Sequence, residues 1–294
     1  MMRRPAALLA LCAALLVSNQ ALADQLPQRW VSAGGALSEW ITELGGQPRL
    51  VGVDTTSQNP EALKALPSIG YQRQLSAEGV LSLRPDILVG TEEMGPPPVL
   101  AQIRKAGVRV ELFSSKAEVA AVDENLKHLG SLLGAEQKAA QLTADYHQQL
   151  EALQAQIKQA QASNKVPGVL LLVGHAGAKP LIAGQGTAGD WLLREAGARN
   201  LAEHQGYKNF SNESLAALDP DVVVFSDRAL SGEQALQALL KENPALSASR
   251  AVRDKRLVSL DPTLLVGGLG PRLPATLRDL AAAFYPAAKV SLTQ

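Results

Sequence analysis

Residues 75–89 read LSAEGVLSLRPDILV, and residues 210–224 read FSNESLAALDPDVVV. The two align without a gap at an offset of 135. In each, a serine two residues before a glutamate is placed to cap a helix, the helix ends before Pro-Asp, and an apolar strand follows. A single copy describes one helix and one strand. Two copies at this separation describe two lobes of like topology.

The residues around each copy extend the pattern. Arg29 to Gly35 reads as a strand running into a glycine turn, and Ala36 to Leu44 has helical spacing that Gly45 and Gly46 stop. Leu50–Asp54, Asp86–Gly90 and Val108–Phe113 are further short apolar strands, and the alternation restarts at Val169–Val173. Thr91–Pro98 holds three consecutive prolines and is expected to be a stiff, extended loop on one wall of a cleft. Alternating strands and helices predict largely parallel sheets covered by helices, with any ligand outside the carboxyl ends of the strands. Between the halves, Val122 to Ser163 is rich in helix formers, with Gly130 and Gly134 as weak points. Its later part, Ala135 to Ser163, would reach roughly 40 Å as helix, enough to bridge two lobes. The expected architecture is α/β: a lobe over 24–128, a bridging helix over 129–163, a lobe over 164–294, and a ligand cleft between the lobes.

The N-terminus reads as a secretory leader. Arg3 and Arg4 precede an apolar run from Ala6 to Val17 and a small-residue cleavage site at 21–23, so export with cleavage after Ala23 is expected. The one cysteine, Cys12, lies inside that leader without a small residue before it, so it reads neither as a lipidation site nor as a source of disulfides. Without the leader the chain carries 26 basic and 28 acidic residues and no basic block, which argues against nucleic acid as a partner.

The chemistry-bearing residues are few. Gly184, Gly186 and Gly189 spell a dinucleotide fingerprint, but the acidic residue expected about 20 positions on is missing from a following strand, so close packing is the simpler role. The histidines 128, 147, 175 and 204 are not at metal-ligand spacing. His128 and His147 read as solvated helix residues, whereas His175 follows a strand and should face the cleft. Arg228 follows the strand Val222–Phe225 and would suit an anionic ligand group. Glu92 and Glu93 read as solvent-facing loop acids. No nucleophile elbow occurs, and a catalytic role has little support. Tyr71 is a phenol with a guanidinium, Arg73, two residues on. An unperturbed tyrosine titrates near about 10, and a neighbouring cation favours the phenolate that a metal would need.

Taken together, VGVDTTS at 51–57, LPSIGYQRQLSAEG at 66–79, AGQGTA at 183–188 and GPRLP at 270–274 resemble the periplasmic haem-binding proteins of bacterial haem-uptake ABC transporters, in the class with two lobes joined by one long helix, and among them the pseudomonad form. The resemblance covers essentially the whole chain after the leader. It implies a monomeric carrier of ferric haem b, with Tyr71 as the axial ligand to iron and Arg73 hydrogen-bonding or polarising the phenolate. It further implies a largely apolar cleft, and a histidine from the second lobe in some members, for which His175 is the one placed here. One glutamate per lobe, Glu78 and Glu213 at matching positions of the repeat, would dock on an inner-membrane permease and its ATPase. A siderophore or cobalamin carrier of the same architecture is the alternative.

Overall fold

The computed structural model of the chain describes residues 26–175, 178–227 and 232–291. The expected leader and Arg228 lie outside the described residues, as does the side chain of His175. The first lobe is built on β1 (Trp30–Ala33), β2 (Leu50–Val53), β3 (Ile87–Thr91) and β4 (Arg109–Phe113), in the order β2-β1-β3-β4 with every pair parallel. All residues of β1 and β3 are buried because helices cover both faces of the sheet. Those helices are α1 (Gly35–Glu43), α2 (Ala77–Leu81), α3 (Pro97–Lys105) and α4 (Val119–Leu133). The proline run departs from expectation: Pro96 precedes the helix, and Pro97 and Pro98 form its first turn. A proline costs nothing there, since the N–H it lacks has no helical partner anyway.

The bridge is α5 (Glu136–Ser163), 28 residues and about 42 Å long at 1.5 Å per residue. It is separate from α4 because Gly134 adopts a left-handed conformation (φ 66°) and closes that helix. Tyr146, Leu150, Leu153 and Ile157 form one buried stripe along α5. Its first half lies against α4 and its second half meets the other lobe, where Gln161 donates to the Gly197 carbonyl at 3.1 Å.

The second lobe contains β5 (Gly168–His175), β6 (Ala178–Ala183), α6 (Ala188–Glu195), β7 (Arg199–Asn200), β8 (Tyr207–Lys208), α7 (Asn212–Leu218), β9 (Val222–Asp227), α8 (Gly232–Glu242), α9 (Arg250–Arg253), β10 (Leu257–Ser259) and α10 (Leu273–Phe284). Strands β10, β9, β5 and β7 pair in parallel, but β6 runs antiparallel to both β5 and β8.

The sequence repeat is also a structural repeat. Ser76 Oγ accepts from the Gly79 N–H at 3.0 Å to cap α2, and Ser211 Oγ accepts from the Ser214 N–H at 3.2 Å to cap α7. At the other end, Arg84 (φ 48°) and Asp219 (φ 35°) occupy matching left-handed positions just before the proline. Asp86 then accepts the backbone N–H groups of Gln28 and Arg29, and Asp221 accepts that of Gly168, so each aspartate ties down the entry to its lobe's central strand.

A second connection joins the lobes. After β10 the chain crosses as a strap, residues 261–272, onto the first lobe. Trp40 Nε1 donates to the Leu269 carbonyl at 3.0 Å, and the Tyr146 hydroxyl to the Gly270 carbonyl at 3.4 Å. Arg272 reaches Glu39 at 2.8 Å, Asp261 at 2.7 Å and the Thr263 hydroxyl at 2.7 Å. Burial raises the Glu39 pKa despite the guanidinium. For Asp261 burial pushes upward too, but the Thr263 hydrogen bonds and Arg272 outweigh it and hold the carboxyl below its ordinary value. One continuous core runs from Trp30 and Trp40 through Tyr146 and Ile157 to Val169 and Tyr285, so α5, the strap and both lobes pack as one body.

Candidate ligand-binding cleft

Tyr71 is positioned by the end of β2. The Ile69 N–H donates to the Val53 carbonyl at 3.0 Å and the Thr55 N–H to the Gly70 carbonyl at 2.9 Å, which lays residues 67–70 beside the strand. Gly70 turns the chain at φ 83°, a conformation that disfavours a side chain, and Tyr71 follows as a half-buried residue. The next turn is clamped from the far side, since the Gly95 N–H donates to the Gln72 carbonyl at 3.0 Å and the Leu75 N–H to the Gly95 carbonyl at 2.9 Å. The stretch 51–57 shapes the adjoining wall. Asp54 is buried and accepts from Gly34 N–H at 3.0 Å and from the hydroxyls of Thr56 and Ser57 at 2.9 Å. Burial raises its pKa against those hydrogen bonds. Its carboxylate and the Thr56 hydroxyl occupy the N-terminus of α1, where an anionic ligand would otherwise sit.

Tyr71 lines a cavity of about 370 Å³ with Thr55, Thr56 and Gln58 on one side and Pro262, Thr263 and Val266 of the strap on the other. These walls are rich in hydroxyl and amide groups, a correction to the largely apolar surface expected. The apolar side chains at the ends of the strands are committed to the core, and the loops that reach the cleft carry threonines.

Arg73 opens into a second cavity of about 610 Å³ between the lobes. Its nearest partner is Glu93, with Nη2 and Oε2 2.7 Å apart, a contact that raises the arginine's pKa while its charge still acts on Tyr71. Glu93 is therefore an ion-pair partner at the cleft and not a solvent-facing acid. The opposite wall carries Tyr207, which residue pattern gave no reason to single out because β8 is only two residues long. Burial raises the pKa of this phenol. The Thr187 hydroxyl and the Gly189 N–H face its oxygen and, with Arg73, oppose the shift. Tyr207 thus has its oxygen facing the start of α6 and contributes to the cleft wall, with 38% of its surface exposed.

The glycine fingerprint has a packing role. A Cβ at Gly184 would stand 2.1 Å from the His204 carbonyl oxygen, and one at Gly189 would stand 2.7 Å from the Ala183 Cβ. Thr187 caps α6, and in the first turn Asp190 is buried with Asn200 Nδ2 at 3.0 Å. A protein carboxylate thus takes the place that a phosphate would need. Glu78 and Glu213 are exposed in the first turns of α2 and α7. His147 and His128, expected to be simply solvated, lie 2.8 Å from Asp123 and 3.4 Å from Glu111. Among the described residues no group of three or more histidine, cysteine and acidic side chains could hold a metal ion.

The pattern of one family, described as periplasmic binding protein, matches residues 31–264. The chain belongs to the periplasmic binding protein family. It is similar to a periplasmic heme-binding protein from Pseudomonas aeruginosa of solved structure, 63% identical with a TM-score of 0.88 over 91% of this chain and 96% of the other. It is similar also to a periplasmic heme-binding protein of Vibrio cholerae, 36% identical with a TM-score of 0.73 over 88% of this chain and 99% of the other. A cobalamin-binding protein of Halobacterium salinarum is 25% identical over 275 residues, 91% of this chain and 72% of its own length. Within the periplasmic binding protein family, then, the similarity to haem binders exceeds that to the corrinoid binder, and the family is a class of binding proteins and not of enzymes.

Proposed function

We propose that this periplasmic binding protein takes ferric haem into the cleft between its lobes, with the Tyr71 phenolate as axial ligand, and delivers it to an inner-membrane ABC importer without catalysing a reaction. The observation that carries the reading is the placement of Tyr71, a half-buried phenol at the cavity wall under the charge of Arg73, in a chain 63% identical to a heme-binding protein. Tyrosinate is a hard anionic donor suited to Fe(III). Arg73, two residues on, is held at the cleft by Glu93 at 2.7 Å. Arg228 and His175 belong to the same reading as second-lobe candidates for the ligand's acidic groups and the distal face. The chain works in the periplasm after its leader is removed, as a monomer, and Glu78 and Glu213 set its register on the permease.

Adding haemin to the purified protein should give the visible spectrum of a high-spin, oxygen-ligated ferric haem, and Tyr71→Ala should abolish it. No spectral change with the wild-type protein defeats the proposal. Cobalamin or siderophore binding in its place would establish the alternative. Because α5, the strap and the shared core hold the lobes together, scattering profiles with and without haemin should differ little; a large compaction contradicts this.

A further inference from the structure

Granted the haem reading above, we propose that Lys116 and Arg194, one from each lobe, bind the two propionates and make the cleft selective for a dicarboxylate macrocycle. Three cations line the 610 Å³ cavity: Arg73, Lys116 and Arg194. Arg73 is already committed to Glu93 at 2.7 Å. With that pair set aside, Lys116 and Arg194 face Glu118 as the one other acid on the cavity wall.

Each of the two has capacity to spare. Lys116 is exposed in the loop between β4 and α4, and among the described residues no carboxylate lies within ion-pair distance of its ammonium. Arg194 stands on the last turn of α6 with its side chain 61% exposed; its Nε lies 3.3 Å from Asp190, and the fork beyond Nε remains available. Asp190 does not depend on Arg194 alone, since Asn200 Nδ2 also binds it at 3.0 Å. Trp191 and Leu269 supply apolar surface in the same cavity. A flat ligand with an apolar body and two carboxylates therefore meets a cation on each side. A corrinoid presents neutral carboxamides at its edge and would bring neither cation a further counter-charge, so the pair acts on specificity as well as affinity.

The test compares haemin with haemin dimethyl ester, which keeps the iron and the ring and removes both negative charges. Lys116→Ala and Arg194→Gln should each weaken haemin binding about fivefold, the upper range for an exposed ion pair. Combined they should weaken it roughly twentyfold, and the loss should shrink at high salt. The dimethyl ester should bind wild type and variants alike within about twofold, which also confirms that the variants fold. Unchanged haemin affinity, or equal losses for acid and ester, overturns the assignment while leaving Tyr71 ligation standing. Absence of any spectral change when either ligand is added to wild type removes the haem reading itself, and this assignment with it.

Discussion

Tyr71 and Tyr207 line the cleft from opposite lobes, and the backbone around each decides what its ring can do. Tyr71 emerges from a glycine turn at the carboxyl end of β2 into a cavity walled by Thr55, Thr56 and the strap. Tyr207 sits in a two-residue strand with its oxygen against Thr187 and Gly189 at the start of α6. Burial makes its phenolate harder to form, so it suits packing better than metal ligation. On the proposed reading, the same side chain is a ligand on one lobe and a wall on the other.

Substitutions should separate these roles most widely. Tyr71→Phe should lower haemin affinity about a hundredfold or more, since even groups that merely orient a metal ligand are worth about 10–100-fold. Tyr207→Phe should change it by less than about threefold, because the ring is kept, whereas Tyr207→Ala should cost roughly five- to tenfold through lost aromatic surface. Equal effects of the two phenylalanine variants, read by spectral titration, would erase the distinction between ligand and wall.

Glu78 and Glu213, the glutamates proposed to dock on the permease, allow the lobes to be compared on their exposed surfaces. Glu78→Ala and Glu213→Ala should leave haemin affinity untouched and each weaken association with the permease a fewfold, as exposed charges do, mainly through the on-rate. Delivery measured in reconstituted vesicles would show whether one lobe dominates, which would break the symmetry that the repeat implies.

The left-handed positions before Pro85 and Pro220 give smaller effects. Arg84→Gly should stabilise the protein by about 0.5–1 kcal/mol in thermal or denaturant unfolding, by relieving a conformation that a side chain disfavours. Asp219→Gly should bring no gain, because it removes contacts to the Arg250 backbone N–H and guanidinium, both at 2.8 Å. The smallest effect is that of acid. The Arg250 backbone N–H, followed by its side chain, holds Asp219 below the usual carboxylate range. A lowered folded pKa means stability that is fully present above the unfolded value, near about 3.9, and lost as pH falls through the folded one. Acidification should therefore speed hydrogen exchange at the turn around Asp219 before the turn around Arg84; the reverse order would contradict this assignment.

Local rules carried much of the fold. Serine caps, proline stops and apolar runs predict α2, β3, α7 and β9, and the helix-forming run predicts α5 almost to its ends. They misjudged Pro97 and Pro98 because extended loop and first helical turn demand the same φ from proline. They also missed the antiparallel β6, since an apolar strand reads alike in either direction. At the cleft, Tyr71 and Arg73 stood out as neighbours in the chain, whereas Glu93 read as a solvent-facing acid, and Tyr207 and the cleft-lining Pro262, Thr263 and Val266 of the strap carried no mark of their own.

What residue order alone dictates here is periodicity, capping and turn chemistry, because those depend on atoms a few positions apart. The repeat, the bridging helix and the family resemblance all belong to that level. Which side chains share the cleft was decided only by the tertiary structure. Glu39 and Arg272 meet across 233 positions, Trp40 and Leu269 across 229, and Arg73 acts on Tyr207 from the other lobe. Such contacts exist only once two lobes, a bridge and a strap have packed into one core, and no local pattern in the chain encodes their distances.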